Sequence, residues 1–322
     1  MKRRRLLDAT LLSAGGLLLA GCAGVGRFPA GVPAPGDPGA AHRTTAGADT
    51  DPPAPAALTA LLREPAAGAM LILGEVHDHA RLHQARLAWL RAWAASGLRF
   101  AIAFEQMDAP RQPALDAARR QPGIAARALA EAGGLDFAGW DWPLYQPVVE
   151  LALQHGLPLV AANLPAVEVA AVARGRSGMS LPPPPDWTES DEAAQRREID
   201  EGHCGVLPPA ALAPMALAQR ARDAAMAQAM RAAQASHGLP VVLLTGNGHA
   251  RRDLGVARHL AGALPRERLR CVGFLEAEGE AQPRLLTQAD ERFDWRVLAV
   301  PHARPDPCEA LRGRFRAPPA RG

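Results

Sequence analysis

Leu71-Ile72-Leu73-Gly74-Glu75-Val76-His77-Asp78-His79 is the stretch on which the fold turns. Its apolar run is long enough for one buried strand and stops at Gly74. Beyond the stop it offers a carboxylate, Glu75, and an imidazole, His77, two residues apart. In a parallel α/β sheet such residues stand in the crevice outside the C-terminal strand ends, where ligands bind. A second stop of the same kind lies far along the chain, at Val241-Val242-Leu243-Leu244-Thr245-Gly246-Asn247-Gly248-His249. Two strands that end in glycine and then histidine predict one shared pocket.

Working outward, apolar strand patterns fall at 69–73, 100–104, 157–161, 240–245, 271–275 and 297–300. Helical patterns fall at 79–95, 112–120, 124–132, 144–155, 166–174, 191–201, 210–235 and 253–264. Leu82, Ala85, Trp89, Leu90 and Trp93 give the first of these helices an apolar face at helical spacing. The alternation predicts an α/β fold: a mostly parallel central sheet with helices on both faces and a ligand crevice at the C-terminal strand ends. The last strand, led in by Asp294-Trp295-Arg296, fits an antiparallel edge.

The ends of the chain read differently. Lys2 to Arg5 form a positive n-region and Leu11 to Leu19 a short apolar h-region, too short for a spanning helix. The segment closes on Leu19-Ala20-Gly21-Cys22, the pattern of a bacterial lipoprotein signal, so residues 1–21 are expected to be removed and Cys22 lipidated. Such an anchor holds a protein on a membrane without a spanning helix. Ala23 after the cysteine favours the outer membrane, facing the periplasm or the surface. Residues 22–56 are rich in Pro, Gly, Ala, Thr and Asp, too poor in apolar side chains to offset chain entropy, and read as a tether. Residues 57–302 form the folded domain, and 303–322 an Arg/Pro-rich flexible tail. A polyproline loop spans 177–187.

Charge argues against nucleic acid. The chain has 36 basic and 33 acidic residues; four and one of these lie in the first 21, leaving 32 of each. At 48% hydrophobic residues, a packed core is available. Once Cys22 is set aside, Cys204, Cys271 and Cys308 remain, an odd number. Cys271 begins an apolar strand and reads as buried; a Cys204–Cys308 bridge is open to the other two. With no CxxCH, c-type haem attachment is excluded.

Four strand ends then present polar groups in turn: Glu75 and His77, Glu105 and Gln106, Asn163, and Asn247 with His249. Two carboxylates and two histidines suit either a divalent metal or acid–base chemistry. HExxH, GxGxxG and GxSxG patterns are absent. Elsewhere, His79 and His83 at i, i+4 fit a metal pair or a polar helix face. The segment from Gly139 to Pro147 holds Trp140, Trp142 and the only tyrosine, Tyr145. It is either a core plug or a flat apolar surface that aims a phenol at a planar ligand, tyrosinate being a haem ligand in other proteins. His203-Cys204 is a plain loop or a second ligand source. In the long helix, Met226 and Met230 either pack the core or line a pocket; Asp223 is placed to serve as a partner to a pocket histidine.

Taken in order, Gly74-Glu75-Val76-His77-Asp78, Phe104-Glu105-Gln106, Trp142 to Pro147, Ala161-Ala162-Asn163-Leu164-Pro165, Ala218-Gln219, Arg222 to Ala227 and Gly246 to Arg251 resemble the ChaN-type haem-binding lipoproteins. That group is related to the Tiki, TraB and erythromycin-esterase proteins. The resemblance covers roughly residues 57 to 300. It implies an α/β fold, haem as cofactor, a role in haem or iron uptake at the cell envelope rather than catalysis, and a homodimer that sandwiches haem. It implies Tyr145 or His249 as iron ligand, with Glu75, His77, Trp142, Asn163, His203 and Met226 around the cofactor. The hydrolases among the relatives imply the alternative, a metal-dependent hydrolase using Glu75, His77, Glu105 and His249.

Overall fold

In a computed structural model, residues 42–45, 53–64, 68–277 and 291–315 are described. The strands are β1 (His42–Thr45), β2 (Met70–Leu73), β3 (Ala101–Asp108), β4 (Leu159–Asn163), β5 (Val241–Leu244), β6 (Leu269–Glu276) and β7 (Trp295–Ala299). They form one sheet in the order β1-β7-β6-β2-β5-β3-β4, and every pairing is parallel.

Alternate residues of the strands feed two separate cores, as the two-residue period of a strand requires. Leu71 and Leu73, Ile102 and Phe104, and Val242 and Leu244 face one layer. That layer comprises α1 (Ala56–Leu62), α2 (Ala80–Ala95), α3 (Gln112–Arg119), α4 (Ala126–Ala132) and α5 (Trp142–Gln154). Met70 and Ile72, Ala101 and Ala103, and Val241 and Leu243 face the other. There lie α8 (Pro209–His237) and α10 (Val256–Leu260), with α6 (Ala166–Ala173) and α7 (Glu189–Gly202) packed outside α8. A short helix, α9 (Asn247–Ala250), follows β5. Continuous apolar strands are what a sheet covered on both faces demands. The predicted face of α2 is buried throughout, with Trp89 packed edge-on against Phe274.

Three expectations are corrected. The last strand is neither antiparallel nor an edge: β7 pairs in parallel with β6 and with β1. Part of the expected tether, β1, is that edge strand; the rest, 22–41 and 46–52, lies outside the described residues, as do the signal segment and Cys22. The expected tail folds as α11 (Pro307–Phe315) and is tied to the body by a Cys204–Cys308 disulfide. Short segments like these carry too few apolar positions to show a period, and it is the partner strand or cross-link that orders them. Cys271 is buried and free, as read. Among the described residues no helix is long and apolar enough to cross a membrane.

Candidate functional site

The four strand ends singled out belong to β2, β5, β3 and β4, neighbours in one half of the sheet. Their polar residues therefore do converge. Beside β4, the three residues of β3 between Phe104 and Asp108 oppose the single residue Ala162 of β4. Such a bulge re-aims side chains, and it carries Glu105 and Gln106 to opposite sides. Gln106 reaches back to Glu75, 3.2 Å away, while Glu105 turns to Arg222 on α8, 2.5 Å away.

Glu75 is the centre of the first group. Its Oε1 accepts from Tyr145 Oη at 2.5 Å and lies 2.7 Å from His77 Nδ1; its Oε2 accepts from Arg86 of α2. Burial alone would raise this carboxyl, but Arg86, His83 and His77 hold it well below the usual carboxylate range. Arg86 also touches His83 Nδ1, at 3.1 Å. His83 is buried and pushed down to about 4, mainly by desolvation. Burial lowers His77 too, yet its hydrogen bond and proximity to Glu75 outweigh that and raise it.

Glu105 is the centre of the second group. It accepts from Arg222, from the Thr245 hydroxyl at 2.5 Å and from the Gly246 amide at 2.7 Å. Against the desolvation of a buried site, neighbouring His249 and Arg222 bring it to about 2. His249 lies 2.6 Å from Asp223 through Nδ1 and 3.6 Å from Glu105 through Nε2. Asp223 is thus the histidine partner that its position on α8 suggested.

Above both groups opens a crevice of about 550 Å³. Val76, Trp140, Leu164 and Val169 give it apolar walls, and His77, Glu105, Gln106, Asn163 and Arg222 give it polar ones. His77 stands at its edge with 15% of its side chain exposed. Its ring meets Trp140 edge-on, centroids 4.8 Å apart. Glu75 takes its Nδ1, and among the described residues no group bonds its Nε2. Gly246 leaves room for that nitrogen: a Cβ there would come within 2.9 Å of it.

Of the residues named from sequence, His77, Glu105, Gln106, Asn163 and Arg222 line this crevice; Glu75, Trp142, Tyr145, His203, Met226 and His249 do not. Tyr145 has no exposed surface, its hydroxyl is given to Glu75, and burial with the Glu75 charge raises it well above its ordinary value. In this arrangement the phenol is neutral, committed to Glu75 and apart from the crevice lining. His249, 1% exposed, is also sealed off. Trp142 packs on Phe137, and Met226 sits in the core under Thr245. His203 bonds the Ile199 carbonyl and lines a separate small hollow. Asn247 turns away to bridge the backbone of Phe274. His79 caps α2, accepting from Leu82 N.

The divalent-metal alternative loses its donors. Glu75 and Glu105 are already taken by cations, hydroxyls and amides, and His249 by Asp223. Among the described residues the one metal-sized cluster is His79, Glu276 and His302. The Arg304 guanidinium bonds Glu276 there at 2.6 and 2.9 Å, filling the cationic role itself.

Sequence reasoning missed Arg86 and singled out Trp140 only as a member of the aromatic segment. Arg86 had a signal: it falls on the apolar stripe of α2 with Leu82, Trp89 and Trp93, and a charge on a core face calls for a buried partner. Trp140 had none beyond its place in an aromatic segment.

Comparison with known proteins agrees with this arrangement. A family model described as haem-binding uptake, Tiki superfamily, ChaN matches residues 61–260. A solved structure described as cofacial heme binding to ChaN of Campylobacter jejuni is similar over 73% of this chain and 89% of that one, at 20% identity and a TM-score of 0.56. It shows the shared fold. The type III effector HopBA1 aligns over 75% of this chain and 92% of its own at 12% identity, with a TM-score of 0.35. No curated protein matches. With more than half its length matched, and with the matched span supplying the converging ends of β2, β3, β4 and β5, the chain belongs to the ChaN family of the Tiki superfamily.

Proposed function

We propose that the protein binds haem in the crevice, with His77 Nε2 as iron ligand, and serves haem or iron uptake from a lipid-anchored position at the cell envelope. One observation carries this reading: His77 lines an apolar-walled crevice, is held through Nδ1 by a buried carboxylate, and keeps an Nε2 that no described residue bonds. A metal-binding histidine commonly gives its other ring nitrogen to a carboxylate, which sets the tautomer and raises its basicity. The crevice lies within the roughly 300–1,000 Å³ of small-molecule and cofactor sites. The residues therefore fit a haem, whose iron the His77 imidazole would hold. Val76, Trp140 and Leu164 would shield the bound group from water. The family's description and its ChaN relative's bound haem support the ligand's identity.

Titration of apoprotein with hemin tests this. A saturable Soret shift is expected for wild type and for Tyr145→Phe, and its loss for His77→Ala. Absence of any shift in wild type would sink the reading. Lipid attachment at Cys22, outer-membrane location and a homodimer complete the proposal. Labelled palmitate should enter the wild-type chain and not Cys22→Ser, and hemin loading should double the mass in solution.

A second reading draws on the same pair. A histidine poised by a buried glutamate is also a general base, so a hydrolase using His77 and Glu75 deserves an ester and amide panel. Turnover abolished in His77→Ala would favour it.

A further inference from the structure

After β7 the chain does not leave the body. Residues 300–307 cross the mouth of the crevice, and Arg304, Pro305 and Pro307 are among its lining residues. One end of this strap is held by Arg304, which donates to Glu276 and, at 3.0 Å, to Asp78 beside His77. The other is held by the Cys204–Cys308 disulfide to the turn after α7, the two cysteines being 104 positions apart. Cys204 takes up left-handed backbone, φ 60°, to end that helix.

Near its start the segment is also fastened by His79, whose Nε2 donates to the Val300 carbonyl at 3.0 Å and whose ring meets His302 edge-on. Among the described side chains from 300 to 313 none is buried, and Val300 is 62% exposed. Burial of apolar surface is what ordinarily holds a terminal segment in place, and here that force is missing. Ion pairs at partly exposed sites hold weakly. The cross-link is left as the principal restraint, since it denies the segment most of its open conformations. The strap also lies outside residues 61–260, the span shared with the family model.

We propose that the strap is the closing wall of the ligand crevice, stapled by Cys204–Cys308, and that it holds the bound ligand against His77. The ligand's identity rests on the haem reading above; the wall itself does not.

The experiment compares the oxidised full chain with a Cys204→Ser/Cys308→Ser variant of matched circular dichroism. Two rates are read: modification of His77 by diethyl pyrocarbonate in hemin-free protein, located by peptide mass spectrometry, and hemin release into an excess of apomyoglobin. Both are expected to rise about tenfold in the variant, with the Soret position unchanged because the iron ligand is the same. Equal His77 modification in the two proteins overturns the proposal. So does faster modification with unchanged hemin release, since the strap would then cover His77 without holding the ligand. If wild type takes up no hemin, the haem reading falls, and the His77 rates alone decide the wall. Should the double variant fail to fold, Arg304→Gln keeps the disulfide, loosens the other anchor, and gives the same two readouts.

Discussion

Tyr145 gives its hydroxyl to Glu75 across 2.5 Å, from a ring with no exposed surface. The bond joins α5 to the end of β2 and makes the phenol part of the scaffold under His77. Tyr145→Phe is therefore expected to cost about 1.5–3 kcal/mol of stability, the range for a hydrogen bond to a charged group. Urea unfolding measures this. The Soret maximum of the hemin complex should not move; a moved maximum would return the phenol to the iron.

Glu75 acts on His77 through Nδ1. Glu75→Gln removes the charge that makes the imidazole basic, and such changes behind a ligating histidine weaken binding about 10- to 100-fold. The loss should appear in hemin affinity and as a fall in the pH at which binding sets in. A purely structural role would lower stability and leave that pH where it was.

Gly246 faces His77 Nε2 so closely that an added methyl would lie 2.9 Å from it. The side chain can rotate away and the backbone need not. Gly246→Ala should keep its unfolding midpoint within about 1 kcal/mol of wild type while hemin affinity falls about tenfold or more. Unchanged affinity would show that Nε2 is not the contacting atom.

Stability should peak near pH 6.5, the ordinary imidazole value from which His77 and His83 shift in opposite directions. His77 is raised: burial lowers it, but the Glu75 bond and charge prevail. Its contribution is full below 6.5 and is lost as pH rises through the raised value. His83 is lowered to about 4 by burial, so the unfolded chain takes up the extra proton, and stability falls between pH 6.5 and about 4. His259, lowered by burial, adds to that acid limb. Below it Glu105, at about 2, withdraws its share as pH falls from 4.5. Urea midpoints against pH should lose the alkaline limb in His77→Gln and part of the acid limb in His83→Gln. Hemin binding runs the other way, strengthening as pH rises and His77 sheds its proton.

The residues along the chain determined the α/β class, the six strands β2 to β7, the buried face of α2 and the convergence of four strand ends. Each rests on a local regularity: an apolar run, a helical period, a glycine stop. The tertiary structure alone decided which polar groups face the crevice. Tyr145 and His77 are both aromatic and polar in sequence, yet one lies beneath Glu75 and the other at the rim, because burial depends on how α5 packs against β2 and not on either residue's neighbours. Arg86, Arg222 and Thr245 consume the two carboxylates from three separate elements, and no spacing announces such partners. β1 and the strap were hidden for a related reason. Neither has an apolar pattern of its own; β7 orders the one, and a disulfide between cysteines 104 positions apart orders the other.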